Sequence, residues 1–97
     1  MQIGLMIEGQ WGLTWARWQR LLKAAEALGF QCVFRSDHYT IGPPDEESLE
    51  TFVSLTYAAD RTQRIEFGTL VAPTTFRHPA LTARMAAAID DLSGGRM

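Results

Sequence analysis

The chain has 97 residues, a formal net charge of −2 at pH 7 and 46% hydrophobic residues, values typical of one small globular domain. It has no long basic run, so nucleic acid and anionic membranes are poor candidate partners, and no stretch approaches the ~20 apolar residues of a membrane-spanning helix. The N-terminus lacks the basic start and apolar core of a signal peptide, and the single cysteine, Cys32, falls in a predicted strand, so we expect a reduced, buried thiol and a cytoplasmic protein.

The first predicted unit is a strand followed by a helix. The apolar run "IGLMI" (3–7) indicates a buried strand, and "EGQWGLT" breaks it with two glycines. Apolar residues then recur at helical spacing opposite a charged side. They are Trp15, Trp18, Leu22 and Ala25, with Leu21 and Leu28 beside them. Gly29 favours the end of this helix.

The second unit begins with the strand "FQCVF" (30–34), and the loop "IGPPDEES" follows. Asp45 or Ser48 is predicted to cap the next helix. The predicted apolar face of that helix consists of Leu49, Phe52, Val53, Thr56 and Ala59. We interpret the acidic residues Asp45, Glu46 and Glu47 as first-turn charges that the helix dipole favours, and we assign no metal ligand.

The third unit is the strand "RIEFGTLVAP", which is predicted to end at Pro73, and the helix "RHPALTARMAAAIDDLSGG". Pro79 suits the first turn of this helix, and Gly94 with Gly95 indicates its end. The element order is therefore βαβαβα, at about thirty residues for each βα unit, which predicts parallel strands joined by right-handed crossovers.

Such a pattern fits either an open doubly wound sheet or a (β/α)8 barrel, since parallel sheets need cover on both faces. Neither G-x-G-x-x-G nor G-x-x-x-x-G-K-[ST] is present, so the nucleotide-binding forms of the open sheet lose support. In both architectures the carboxyl ends of the strands share one face, where active sites lie.

Polar residues follow two of these strand ends. Glu8 follows the first strand, Asp37 and His38 follow the second, and Trp11 lies in the first loop. A carboxylate beside an imidazole can hold an orientation, transfer a proton and stabilise developing charge. We therefore consider Asp37 and His38 candidate catalytic residues, and an ordinary polar loop is the alternative reading of the same residues.

Several ordered motifs together cover essentially the whole chain. They are "IGLMIEGQ", the Gly29–Phe30 pair, "SDHY" (36–39), "YAADRTQRIEFGTLVAP" and "FRHPALTARMAAAIDDLSGGRM". This set resembles the luciferase-like monooxygenase superfamily, and within it the oxidoreductases that use a deazaflavin, coenzyme F-420.

The resemblance implies an α/β fold that forms the first three βα units of a (β/α)8 TIM barrel, incomplete in this chain because such a barrel needs ~250 residues. It also implies a small-molecule substrate and hydride transfer with coenzyme F-420. The alternatives are an FMN-dependent monooxygenase and a non-catalytic, self-associating barrel fragment.

The resemblance also implies roles for particular residues. Ser36 and Asp37 would contact the cofactor ring, and His38 would act as acid, base or charge stabiliser near the reacting atoms. Thr69, Leu70 and Val71 would press on the back of the ring, with a cis peptide bond between Leu70 and Val71. The phosphate site of such barrels follows strands seven and eight, so we expect this chain alone to bind the cofactor weakly.

A homo-oligomer through the second and third helices is the last expectation, because members of the resembled family commonly associate through these helices. The third helix is rich in small residues, namely Ala80, Ala83, Ala86, Ala87 and Ala88, and the second is apolar around much of its circumference. The expected contacts are Phe52, Tyr57, Ala83 and Ala87.

Overall fold

Within the part of the chain that the structure describes, three parallel strands alternate with three helices, as the sequence predicts. The computed structural model describes residues 1–43 and 47–97. The elements are β1 (Gly4–Ile7), α1 (Trp15–Ala27), β2 (Cys32–Arg35), α2 (Thr51–Arg61), β3 (Glu66–Thr69) and α3 (Pro79–Ser93). None of the helices within the described ranges is long and apolar enough to cross a bilayer.

The strands form one sheet in the order β1-β2-β3, in which Leu5 is level with Val33 and Val33 with Phe67. Side chains alternate between the faces of a strand, and Val33 and Phe67 are buried in a core to which all three helices contribute. The other face carries Met6 and Phe34, which are only partly covered. This sheet therefore holds its helices on one face and leaves the opposite face open.

The ends of α1 and α3 follow the predicted signals. The Thr14 hydroxyl caps α1 by accepting a hydrogen bond from the Arg17 backbone N–H, and Gly29 just beyond the helix has φ +82°. Pro79 is the first residue of α3, and Gly94 ends it at φ +71°. Left-handed backbone is cheap for glycine because it has no Cβ, which explains both stops.

The predicted caps of α2 are corrected. This helix begins at Thr51, and the Glu50 carboxylate caps it by accepting a hydrogen bond of 2.6 Å from the Val53 backbone N–H. The Ser48 hydroxyl instead donates to the His38 carbonyl at 2.7 Å. Glu47 precedes the helix, and Asp45 and Glu46 lie outside the described residues.

The buried face of α2 also differs from the prediction. It consists of Thr51, Phe52, Ser54, Leu55, Ala58 and Ala59. Val53 and Thr56 are exposed, and Leu49 lies before the helix, so the predicted stripe was wrong there. The reason is that two hydroxyl residues, Thr51 and Ser54, replace apolar ones in the buried stripe. A buried hydroxyl is tolerated when it is hydrogen-bonded, and here each one is.

Other element boundaries shift by a few residues. The third strand leaves the ladder after Thr69 rather than at Pro73, and β2 runs to Arg35 rather than Phe34. Trp15 was predicted to lie in the core but is 40% exposed and packs against Tyr57, with ring centroids 5.6 Å apart. Cys32 is half-buried rather than fully buried.

One carboxylate outside the strand ends anchors the connection into β3. An oxygen of Glu26 accepts hydrogen bonds from the backbone N–H groups of Gln63 at 2.8 Å and Arg64 at 2.6 Å, and a longer one from Ile65. Partial burial acts to raise the pKa of Glu26, but these backbone hydrogen bonds outweigh it, so the pKa lies below its ordinary value.

We expect Glu26→Gln to lower the free energy of unfolding at pH 7 by about 1 kcal/mol, a value reduced for solvent screening. Because the folded state lowers the pKa of Glu26, its contribution is present above the unfolded pKa of about 4.3 and is lost as pH falls through the folded value. Urea unfolding at pH 7 and pH 3 measures this difference, with Glu66→Gln at an exposed position as the control. An equal loss at both pH values would contradict the role of the charge.

Candidate functional site

The end of β2 places Ser36 under the loop that follows β1. The Ser36 side chain is buried; its oxygen accepts a hydrogen bond from the Gly9 backbone N–H at 2.9 Å, and its hydroxyl lies 2.6 Å from the Gln10 side-chain oxygen, to which it donates. The hydroxyl is thus engaged on both sides. Its position supports the strand end from within, and the predicted contact with a cofactor stays a prediction.

Asp37 is also buried, and both of its carboxylate oxygens accept hydrogen bonds from the guanidinium of Arg77. Arg77 donates as well to Glu50, at 2.6 Å, and lies 4.9 Å from the ring centroid of Phe52. The hydrogen bond to Asp37 raises the pKa of Arg77 despite partial burial, and Glu50 adds to the effect. This geometry gives Asp37 a partner that the sequence did not indicate, and its predicted contact with a cofactor ring stays a prediction.

His38 is the member of the Ser-Asp-His set whose side chain is exposed. It lines a cavity of about 300 Å³ together with Gln10, Tyr39, Thr40, Ile41 and Phe76. The rings of Tyr39 and Phe76 stack there, with centroids 4.5 Å apart and an interplanar angle of 9°. The imidazole is therefore placed to contact a molecule in this cavity.

The neighbouring strand end presents a short apolar segment. Leu70 donates its backbone N–H to the Arg35 carbonyl at 2.8 Å, which keeps it beside β2. The Leu70–Val71 peptide bond is cis, as the resemblance implied. The two residues are 49% and 63% exposed, and Thr69 before them is half-buried. An exposed apolar segment thus follows β3, the neighbour of the strand that the exposed His38 follows.

Glu8 and Trp11 do not share the His38 cavity. They line a separate cavity of about 500 Å³ against α1, whose wall includes Arg17 and Leu21. The side chain of Gln10 connects the two regions, because its amide donates to Glu8 while its oxygen accepts from Ser36. The structure thus places Glu8 and Trp11 in a cavity other than that of His38.

A buried arginine lies beneath the strand ends. Arg35 donates to the Ser54 hydroxyl and, at 2.8 Å, to the Leu49 carbonyl, and its guanidinium carbon is 5.3 Å from the centroid of the Trp18 ring. Burial lowers the pKa of Arg35 to about 10, an effect that the nearby charges of Glu50 and Asp37 oppose. This side chain braces β2 against the start of α2.

Sequence reasoning missed several of these side chains. Arg77 stands in the quoted "FRHPAL" segment, but a lone arginine in a loop gave no indication of a buried partner. Arg35 directly follows the predicted strand "FQCVF", where a single polar residue gives no indication that its side chain is buried. Their roles depend on contacts across 40 and 19 residues of sequence, which no local pattern reveals.

Gly9 offers a direct test of the packing around Arg35. A methyl group at Gly9 would lie 2.1 Å from a terminal nitrogen of Arg35 and 2.9 Å from its guanidinium carbon. Because Arg35 is buried and hydrogen-bonded, it cannot move aside cheaply, and overpacking typically costs about 1–3 kcal/mol. We expect Gly9→Ala to lower the free energy of unfolding by about that amount in a urea titration.

Gly68→Ala is the matched control, since among the described residues its new methyl group would meet only Phe34, at 3.8 Å. Similar losses for the two variants would show that the methyl group itself, rather than the crowding of Arg35, sets the cost.

Comparison with known proteins adds three observations. The model of the luciferase-like monooxygenase family matches residues 1–97. The 4-hydroxyprotoasukamycin monooxygenase of Streptomyces nodosus subsp. asukaensis is 33% identical over 85 residues, which are 88% of this chain and 22% of that protein. The 5,10-methylenetetrahydromethanopterin reductase of Methanopyrus kandleri is 36% identical over 76 residues, which are 78% of this chain and 20% of that protein.

A solved structure agrees with the sequence matches. The coenzyme F-420-dependent tetrahydromethanopterin reductase of Methanopyrus kandleri superposes with a TM-score of 0.82 and 29% identity over 98% of this chain and 25% of that one. This chain thus spans about a fifth of the length of the curated relatives that it matches. Its fold corresponds to the N-terminal part of a luciferase-like TIM barrel, and the chain belongs to the luciferase-like monooxygenase family.

Proposed function

We propose that this chain contributes the ring-binding strand ends of a deazaflavin-dependent oxidoreductase that transfers hydride between coenzyme F-420 and a small-molecule substrate. The observation that supports this most directly is that two neighbouring strands end in exposed groups: the His38 imidazole follows β2, and the Leu70–Val71 segment follows β3 and is hydrogen-bonded to Arg35. Ser36 and Asp37, which precede His38, are buried and hydrogen-bonded. The similarity to reductases of Methanopyrus kandleri, one of which is coenzyme F-420-dependent, supports the choice of cofactor.

In this proposal the bound deazaflavin supplies a carbon centre that accepts or gives a hydride. Leu70 and Val71 would support one face of its ring and exclude water from it. His38 would hold or deliver a proton at its imidazole and stabilise the charge that develops as the hydride moves. Ser36 and Asp37 would keep the end of β2 in place beneath it.

A flavin-dependent monooxygenase is the second candidate, and the similarity to 4-hydroxyprotoasukamycin monooxygenase favours it. The same apolar segment and imidazole fit an FMN ring. The two candidates differ in chemistry: a deazaflavin enzyme works without O₂, whereas a flavin monooxygenase consumes it.

Chemical-shift mapping with coenzyme F-420 and, separately, with FMN tests the proposal. We expect coenzyme F-420 to shift the backbone N–H signals of His38, Leu70 and Val71, with an affinity weaker than micromolar because the phosphate site of such barrels follows strands seven and eight. Shifts with FMN alone would favour the monooxygenase. If neither cofactor shifts the signals of these residues, a ring-binding site here is contradicted, and the non-catalytic barrel fragment is the remaining alternative.

We also propose that the protein self-associates through α2 and α3. The structure changes the expected contacts: Phe52 is buried, and Tyr57 packs against Trp15. Val53, Ala83 and Ala87 remain exposed and are the proposed contacts. Light scattering behind size exclusion measures the mass, and a monomer of 10.9 kDa at micromolar concentration would contradict the proposal.

A further inference from the structure

We propose that Phe76 and Arg77, in the loop between β3 and α3, are positioning residues that hold the His38 backbone in place, an inference that rests on the role of His38 in the proposed function. Within the described residues, neither one forms a hydrogen bond or a ring contact with the imidazole. Each instead holds a residue next to His38 in the sequence.

Arg77 holds the preceding residue. Its guanidinium binds both carboxylate oxygens of Asp37, whose side chain is only 4% exposed. A bidentate arginine–carboxylate pair fixes orientation as well as distance, because two parallel hydrogen bonds restrict rotation. Arg77 is itself held by Glu50, the residue that caps α2, and by the ring of Phe52 beneath it.

Phe76 holds the following residue. Its ring stacks on Tyr39 at 4.5 Å and 9°. The His38 carbonyl between these two attachments accepts the Ser48 hydroxyl at 2.7 Å. Ser48 is in turn paired with Leu13 in an isolated parallel bridge, which ties this segment to the loop after β1.

The His38 backbone is therefore held directly at its carbonyl and indirectly through the residues on either side of it, while its imidazole stays exposed. This arrangement suits a group that must meet a reacting atom in a fixed geometry, since a displacement of about 1 Å can cost about 100-fold in rate. A structural role alone would predict a loss of stability from substitutions here. A positioning role predicts in addition that His38 becomes mobile in a protein that remains folded.

The test compares Arg77→Gln, Arg77→Lys and Phe76→Leu by ¹⁵N relaxation of the His38 backbone N–H, which requires no cofactor. We expect its order parameter to fall from about 0.85 to below about 0.6 in Arg77→Gln and to fall less in Phe76→Leu. Arg77→Lys should restore part of the order parameter, because lysine keeps the charge but cannot form the bidentate pair with Asp37. In the cofactor-loaded enzyme, kcat should fall about tenfold or more in Arg77→Gln, while KM changes much less.

Arg61→Gln is the matched control, because Arg61 also pairs with a carboxylate and lies over an aromatic ring but is exposed on the surface of α2. It should leave the His38 order parameter unchanged. Should Arg77→Gln fail to fold, Phe76→Leu decides the question alone. An unchanged order parameter in every folded variant would overturn the positioning role even where coenzyme F-420 binds. A fall without cofactor binding would support the positioning role and contradict the proposed function.

Discussion

His38→Ala is expected, under the proposed function, to lower the turnover of the cofactor-loaded enzyme by about 10²–10⁴-fold, the usual contribution of a general acid or base, and to change cofactor affinity much less. The reason is that the imidazole is exposed in its cavity and carries no hydrogen bond within the described residues, so its removal disturbs little of the fold. Leu70 and Val71, which would support the ring in the proposed function, are unchanged in this variant. Steady-state kinetics and a cofactor titration on the same preparation measure the two quantities.

His78→Ala is the control for this variant. His78 caps α3 by accepting the Ala80 backbone N–H on its ring nitrogen at 3.2 Å. Loss of a cap costs about 1 kcal/mol of stability, but His78 does not line the cavity that contains His38. Turnover in His38→Ala as high as in His78→Ala would remove His38 from the chemistry.

The order of the elements was predictable because hydrophobic periodicity and glycine stops are local signals. Gly29 and Gly94 end their helices through their own positive φ angles, which a sequence reader can anticipate. The start of α2 was not predictable in the same way. Its first turn buries Thr51 and Ser54. The Thr51 hydroxyl donates to the Ser36 carbonyl and the Ser54 hydroxyl accepts from Arg35, and both partners are distant in sequence.

In the candidate site, too, part of the arrangement follows from local sequence and part depends on contacts between distant residues. A rim that contains His38 follows from the rule that parallel strands end on one face. Which neighbouring groups are free to act does not follow from that rule. Ser36 and Asp37 are the two residues before His38, yet the side chains of both are buried. Ser36 is hydrogen-bonded to Gln10 and Asp37 to Arg77, whereas His38 is exposed. Only the three-dimensional contacts separate the exposed group from those that support it.

Arg35→Ala is expected to lower the free energy of unfolding by about 3–5 kcal/mol, the largest stability effect that we predict for this chain. Arg35 is fully buried, and its removal leaves the Leu49 carbonyl and the Ser54 hydroxyl without their donor. It also leaves a cavity against the Trp18 ring. Urea unfolding followed by tryptophan fluorescence measures the loss, and Arg61→Ala on the exposed surface of α2 should change stability by less than about 0.5 kcal/mol.

Arg35→Met separates the two contributions to that loss. Methionine fills most of the arginine volume but donates no hydrogen bond. The loss of stability in this variant therefore comes only from the unpaired acceptors and from the altered charge. An unsatisfied buried polar group costs about 1–3 kcal/mol, and replacement of a buried charge by an apolar side chain recovers part of its desolvation cost. We therefore expect Arg35→Met to lose about half as much stability as Arg35→Ala. A methionine variant as unstable as the alanine variant would show that hydrogen bonds to Leu49 and Ser54, rather than packing against Trp18, hold the end of β2 to α2.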